Sequence, residues 1–197
     1  MMEDRARHLF GVSIEAKIMA ADVLPGLIAK ASQCLVHCFL NNGKILLCGH
    51  GGSVANGLHF SAAMLNHFET ERPGLPVITL ATDPAVHTAF AQEGHSDQVF
   101  ARQIQALGQS VDVLLILSTS GNAMSLLNAV HAAHDRGMDV VALSGRDGGM
   151  LANHLGPEDI EIRAPGDTAA LIREMHLFIL HCFCDLIDQS LFGQMLE

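Results

Sequence analysis

Val111-Asp112-Val113-Leu114-Leu115-Ile116-Leu117 runs directly into Ser118-Thr119-Ser120-Gly121-Asn122, and the helical pattern Met124 to His134 follows. A nearly continuous apolar run of this length reads as a strand covered on both faces. It ends in hydroxyls and a glycine, and the chain then turns into a helix. Hydroxyl donors beside the free N–H groups of a helix N-terminus make a place for an anion, most often a phosphate. Glycine lets the backbone come close to such a ligand. The alternative reading of the same stretch is an ordinary Ser/Thr helix cap.

The pattern occurs a second time. A short strand, Lys44 to Cys48, ends in Gly49-His50-Gly51-Gly52-Ser53, and a helix over 53–66 follows. This loop is not a P-loop, because no Gly-Lys-Ser/Thr follows the glycines. It also lacks the six-residue glycine spacing of a dinucleotide fingerprint. A phosphorylated small molecule, most simply a sugar phosphate, matches two Gly/Ser loops better than a nucleotide does. The candidate anion ligands are Gly51, Ser53, Ser118, Thr119, Ser120 and Asn122.

Around these loops the remaining elements fall into order. Two helices, 2–20 and 22–41, precede the first strand. A second strand is expected at 76–80, helical stretches at 84–91 and 97–107, and a helix over 122–136. Strands at 138–143 and 159–163 flank a glycine-rich turn with Gly145, Gly148 and Gly149, and a long helix over 168–191 closes the chain. Strands alternating with helices predict an α/β fold with one doubly wound, five-stranded parallel sheet. The flavodoxin-like order 2-1-3-4-5 makes strands one and three neighbours, so the two loops share the carboxyl edge where ligands bind. The whole chain, 1–197, reads as one domain: an N-terminal helical arm (1–41), a core (44–163) and the closing helix. That helix is apolar on more than one stripe, which predicts packing against other subunits as well as the sheet.

Composition narrows the function. The formal net charge is −10 with 11 Lys and Arg, and these are scattered, so no basic stripe exists for direct nucleic-acid binding. Five cysteines without zinc-ribbon spacing or a secretory signal read as reduced core thiols in a cytoplasmic protein. No apolar run is long enough to span a membrane.

Cys48-Gly49-His50-Gly51-Gly52-Ser53 with His59-Phe60, Leu117 to Asn122, and Gly145-Arg146-Asp147-Gly148-Gly149 resemble the sugar isomerase (SIS) domain. Phe68-Glu69-Thr70-Glu71-Arg72-Pro73 and Cys184-Asp185-Leu186-Ile187-Asp188 extend the likeness along the chain, to the branch that holds phosphoheptose isomerases and DnaA initiator-associating proteins. The resemblance implies a homotetramer. It also implies, for the isomerases, a zinc site built by a His and a Glu four apart on the first sheet helix and a Gln and a His eight apart on the last.

Carried over residue by residue, His59 and His181 stand at the two His positions, but Ala63 stands at the Glu and Arg173 at the Gln. Zinc wants about three protein ligands, and an arginine is neither a ligand nor a base. His50 replaces an Asn of the first loop, Gln92-Glu93 an Asn-Asp pair, Ala170 an acid, and Ala123 a serine. Phosphate-binding hydroxyls are kept and acid–base groups are lost. The expectation is a phosphosugar-binding protein with a relic active site and no metal cofactor, in which His50, Glu93 and Arg173 line the pocket. His59 and His181 read most simply as hydrogen-bonded core groups, while His176 stays open between solvent-facing and pocket-lining. The branch implies DnaA as partner, with Leu191-Phe192, just past the closing helix, as the contact. Two alternatives remain: a sedoheptulose 7-phosphate isomerase in which His59 and His181 are catalytic and Glu93, Arg173 or His50 takes over the missing role, and a sugar-phosphate sensor.

Overall fold

β1 (Ile45–Gly49) and β3 (Val113–Leu117) lie side by side in a five-stranded parallel sheet, with Gly49 opposite Leu117. The computed structural model describes residues 1–193. β2 (Val77–Thr79) pairs with the outer side of β1, while β4 (Asp139–Gly145) and β5 (Ile160–Ala164) extend the sheet beyond β3, in the order β2-β1-β3-β4-β5. Every residue of β1 and β3 is buried, which is why these strands read as unbroken apolar runs.

Side chains alternate across the sheet. Ile45, Leu47, Val113, Leu115 and Leu117 enter a core with α2 (Pro25–Leu40), α3 (Gly52–Leu65) and α8 (Ala169–Phe192). Leu46, Cys48, Leu114 and Ile116 enter the opposite core, with α5 (Val99–Leu107), α6 (Met124–Asp135) and the short α7 (Gly149–Ala152). Phe60 and Phe183 anchor the first core and Phe100 the second, all fully buried. Each contributes about 1.5–3 kcal/mol of apolar burial. α3 and α6 therefore leave β1 and β3 toward opposite faces, and a crevice opens between their N-termini.

The expected elements are all present, with ends displaced for identifiable reasons. β3 starts at Val113 rather than 111 because Asp112 turns inward: its carboxylate accepts from Lys44 N (2.9 Å), Gln109 N (2.8 Å) and Lys44 Nζ (2.6 Å). β2 is short because Pro76 has no N–H to give to a ladder. α8 runs through Phe192 and stops at Gly193, whose φ of 69° forms a left-handed cap. Leu191 and Phe192 thus belong to the last helical turn and do not lie past it, and residues 194–197 of the expected tail lie outside the described residues.

α1 (Met2–Val23) joins α2 at Leu24-Pro25 with a bend of 71°. Among the described residues no single helix is long and apolar enough to cross a membrane. α1 leaves Leu9, Phe10, Ile14, Ile18 and Met19 exposed, and an apolar groove of about 930 Å³ lies between α1, α2 and α8.

Candidate functional site

The loop after β1 turns on Gly51, which holds φ at 56° as the N-cap of α3. A residue with a Cβ would be strained there. The start of α3 receives no side-chain cap and carries no acid in its first turn, and the same is true of α6, whose N-cap is Ala123. By contrast, α4 (Pro84–Gln92) is capped by Asp83, and α8 by Thr168. Of these four helices, the two that start beside the crevice are the ones whose first turn has no side-chain cap.

Between them runs the hydroxyl loop. Ser118 is buried, and its Oγ accepts from Gly121 N at 2.9 Å, so this serine folds the loop. Thr119 and Ser120 remain half-exposed. Gly121 has φ of 66°, and a methyl there would overlap the Gly148 carbonyl oxygen. The turn after β4 thereby clamps the loop, with Leu151 N donating to Gly121 O at 2.9 Å and Met150 N to Asn122 Oδ1 at 3.0 Å. The Asn122 carbonyl oxygen is thus engaged at the N-terminus of α7.

His50 joins the loops. Its Nε2 lies 2.6 Å from Ser125 Oγ in the first turn of α6, and its ring packs against Phe100 at 5.1 Å between centroids. Burial, and after it the nearby His87, lowers the His50 pKa. His87 packs edge-on against the same Phe100, and its buried Nε2 has no partner. Ser125 and His87 had no signal in the sequence, since Ser125 sits inside an apolar helical pattern and His87 on a separate helix. Gly51, Ser118, Thr119 and Ser120 lie on adjacent loops, and Ser53 is buried in the first turn of α3. Glu93 is exposed at the C-terminal end of α4.

α3 and α8 run side by side and form a seam down from the crevice. At its top the Arg173 side chain crosses Gly52, with Cδ only 2.7 Å from the place a Cβ on Gly52 would take. Asn56 Nδ2 donates to Arg173 O at 2.8 Å. Next come His59 and His181, Nε2 to Nε2 at 2.9 Å. These two imidazoles are hydrogen-bonded to each other but are not core groups, because His59 is exposed and His181 half-buried. Burial and the neighbouring His59 lower the His181 pKa, against an opposing pull from Glu69. At the bottom Arg72 donates to Asp188 Oδ1 (2.7 Å), Met64 O (2.7 Å) and Ala63 O (3.2 Å), closing the C-terminal end of α3.

A zinc ion does not fit this donor set. Two imidazoles remain, the neighbouring position is the apolar Ala63, and the fourth carries the Arg173 cation. Among the described residues no cluster of three or more His, Cys, Asp or Glu side chains could hold a metal.

The other histidine of α8 is neither solvent-facing nor pocket-lining. His176 is fully buried, its Nε2 donates to Ser144 O at 2.9 Å, and burial lowers its pKa to about 4. The cysteines are free, and burial pushes the Cys34, Cys38 and Cys184 thiols up to about 12, as expected of core residues. Leu191 packs on the α8 core, while Phe192 is 37% exposed with its ring 5.8 Å from the Arg72 guanidinium carbon.

The SIS domain family model matches residues 16–145. A phosphoheptose isomerase from Chromohalobacter salexigens is 52% identical over 184 residues, 93% of each chain. A DnaA initiator-associating protein DiaA from Citrobacter koseri is 51% identical over 191 residues, 97% of each chain. The solved structure of a phosphoheptose isomerase from Francisella tularensis superposes with a TM-score of 0.92 at 46% identity, covering 96% of this chain and 99% of that one. One from Neisseria gonorrhoeae gives 0.90 at 39% identity, covering 96% and 100%. With a domain model over most of its sheet and relatives along nearly its whole length, this chain belongs to the SIS domain family.

Proposed function

We propose that this chain is a phosphosugar-binding protein without isomerase activity, which acts as a cytoplasmic homotetramer together with the replication initiator DnaA. The observation that carries the reading is the α3–α8 seam. An aldose–ketose isomerisation moves a proton between adjacent carbons and needs a base, an acid and help for an enediolate charge. Ala63 and Arg173 supply neither base nor metal ligand, while Thr119, Ser120 and the uncapped N-terminus of α6 remain to hold a phosphate.

The relatives leave both names open at nearly equal identity, 52% and 51%, so the residues of the site have to separate them. The association with DnaA rests on the initiator-associating relatives and on Phe192, exposed at the end of α8. In a chain of net charge −10, contact with DNA would pass through that partner. The exposed apolar row of α1 beside its groove supports assembly into oligomers.

One observation favours the isomerase reading. His59 and His181 stay paired beside the crevice, so an acid–base couple of two imidazoles is still in reach of a bound sugar. The partner test is capture of purified DnaA from the same organism on the immobilised protein. Capture by the unaltered chain and at least tenfold weaker capture by Phe192→Ala are expected. Equal capture by both, or none by either, would remove DnaA and this contact from the reading.

A further inference from the structure

Among the described residues no carboxylate pairs with Arg173. Its aliphatic stem and Nε lie over Gly52, and among the described residues its guanidinium has neither a hydrogen bond nor an ion pair. No acid occupies the first turn of α3 or of α8. The one carboxylate beside it in sequence, Glu174, points the other way and binds Lys17 Nζ at 2.5 Å and Ser13 Oγ at 2.5 Å. A chain with 21 acidic residues against 11 Lys and Arg has nonetheless placed an unpaired cation here, next to a helix start that is itself positive. Arg173 is half-buried, and an anion entering here would meet both positive charges.

That anion is distinct from the phosphate expected on the hydroxyl loop. Ser118 to Asn122 lies across β3, on the α6 side of the crevice, whereas Arg173 reaches Gly52 from α8, on the α3 side. The two loops leave strands about 4.8 Å apart, so one small ligand can touch both. Resting on the phosphosugar reading above, we propose that Arg173 is a specificity-determining residue and selects a sugar phosphate whose other end carries a second anionic group. A planar guanidinium pairs two N–H donors with a carboxylate or a phosphate equally well, and a neutral hydroxyl end gains far less from it.

The test is calorimetric titration of the full chain with three probes. Sorbitol 6-phosphate has a neutral far end, 6-phosphogluconate a carboxylate and fructose 1,6-bisphosphate a second phosphate. At least one of the last two is expected to bind about tenfold or more tightly than sorbitol 6-phosphate, and which of them does so identifies the acid. Arg173→Gln should abolish that preference, lowering affinity for the preferred probe about tenfold more than for sorbitol 6-phosphate, while Arg173→Lys restores part of it. Equal affinity for all three probes, or an equal loss for all three in Arg173→Gln, would overturn the role of Arg173 and leave the phosphosugar site standing. Binding of none of them would overturn both.

Discussion

His59 and His181 meet edge to face, with ring planes at 61° and their Nε2 atoms 2.9 Å apart. One ring donates and the other accepts, so the pair holds a single proton between two nitrogens that could each have been a ligand. One helical turn along α3 lies Ala63, and two turns back along α8 lies Arg173. Ala63 and Arg173 therefore leave a hydrogen-bonded pair of imidazoles without the third and fourth donors that a zinc site needs.

Restoring those donors should restore the metal. Ala63→Glu with Arg173→Gln is expected to bind close to one zinc per chain, whereas the unaltered protein retains none after dialysis against weak chelator. Metal content by plasma mass spectrometry checks this. Zinc in the unaltered protein at the same level would show that the two imidazoles suffice.

The buried pair at the lower end of the seam holds the fold. The side chains of Arg72 and Asp188 are only 3% and 9% exposed. Asp188→Ala leaves a buried guanidinium without its carboxylate and should cost about 3–5 kcal/mol, read as a lower urea midpoint. A loss below 1 kcal/mol would mean that the α3 carbonyls alone satisfy Arg72.

Gly121→Ala tests the clamp on the hydroxyl loop. The substitution places a Cβ at positive φ against the Gly148 carbonyl. It should cost about 1–3 kcal/mol and weaken phosphosugar binding together with stability. Unchanged binding would detach the loop from the ligand.

His176 sets an acid limit on stability. Its folded pKa of about 4 lies below the ordinary histidine value of 6.5, so the unfolded chain takes up a proton that the folded chain refuses. Stability from this group is complete above 6.5 and falls as pH drops toward 4, by at most about 3 kcal/mol. His176→Leu should flatten the dependence of the unfolding midpoint on pH across that interval. An unchanged slope would assign the acid limit to other groups.

Much of this was legible in the sequence because the central strands are wholly buried. An apolar run ending in Gly/Ser marks both strand and loop, and crossover handedness then fixes their adjacency. Asp112 moved the start of β3 because a buried carboxylate with three donors cannot be told from a polar strand residue by pattern. The partners of His176 and Asn122 escape the pattern for the same reason: hydrogen bonds to Ser144 O and from Met150 N join residues 32 and 28 positions apart. Phe192 continued the helix because Gly193, and not the fading apolar pattern, supplies the stop. The His50–Ser125 contact spans 75 positions and needed the fold to appear.

The central claim is that the site binds and does not turn over. Proton NMR of the purified protein with sedoheptulose 7-phosphate, with and without added zinc, measures both properties in one tube. Line broadening of the sugar phosphate with no heptose 7-phosphate product at either metal level is the expected result. Product that accumulates in proportion to enzyme and depends on zinc would contradict it and make this chain an isomerase with a rebuilt acid–base pair.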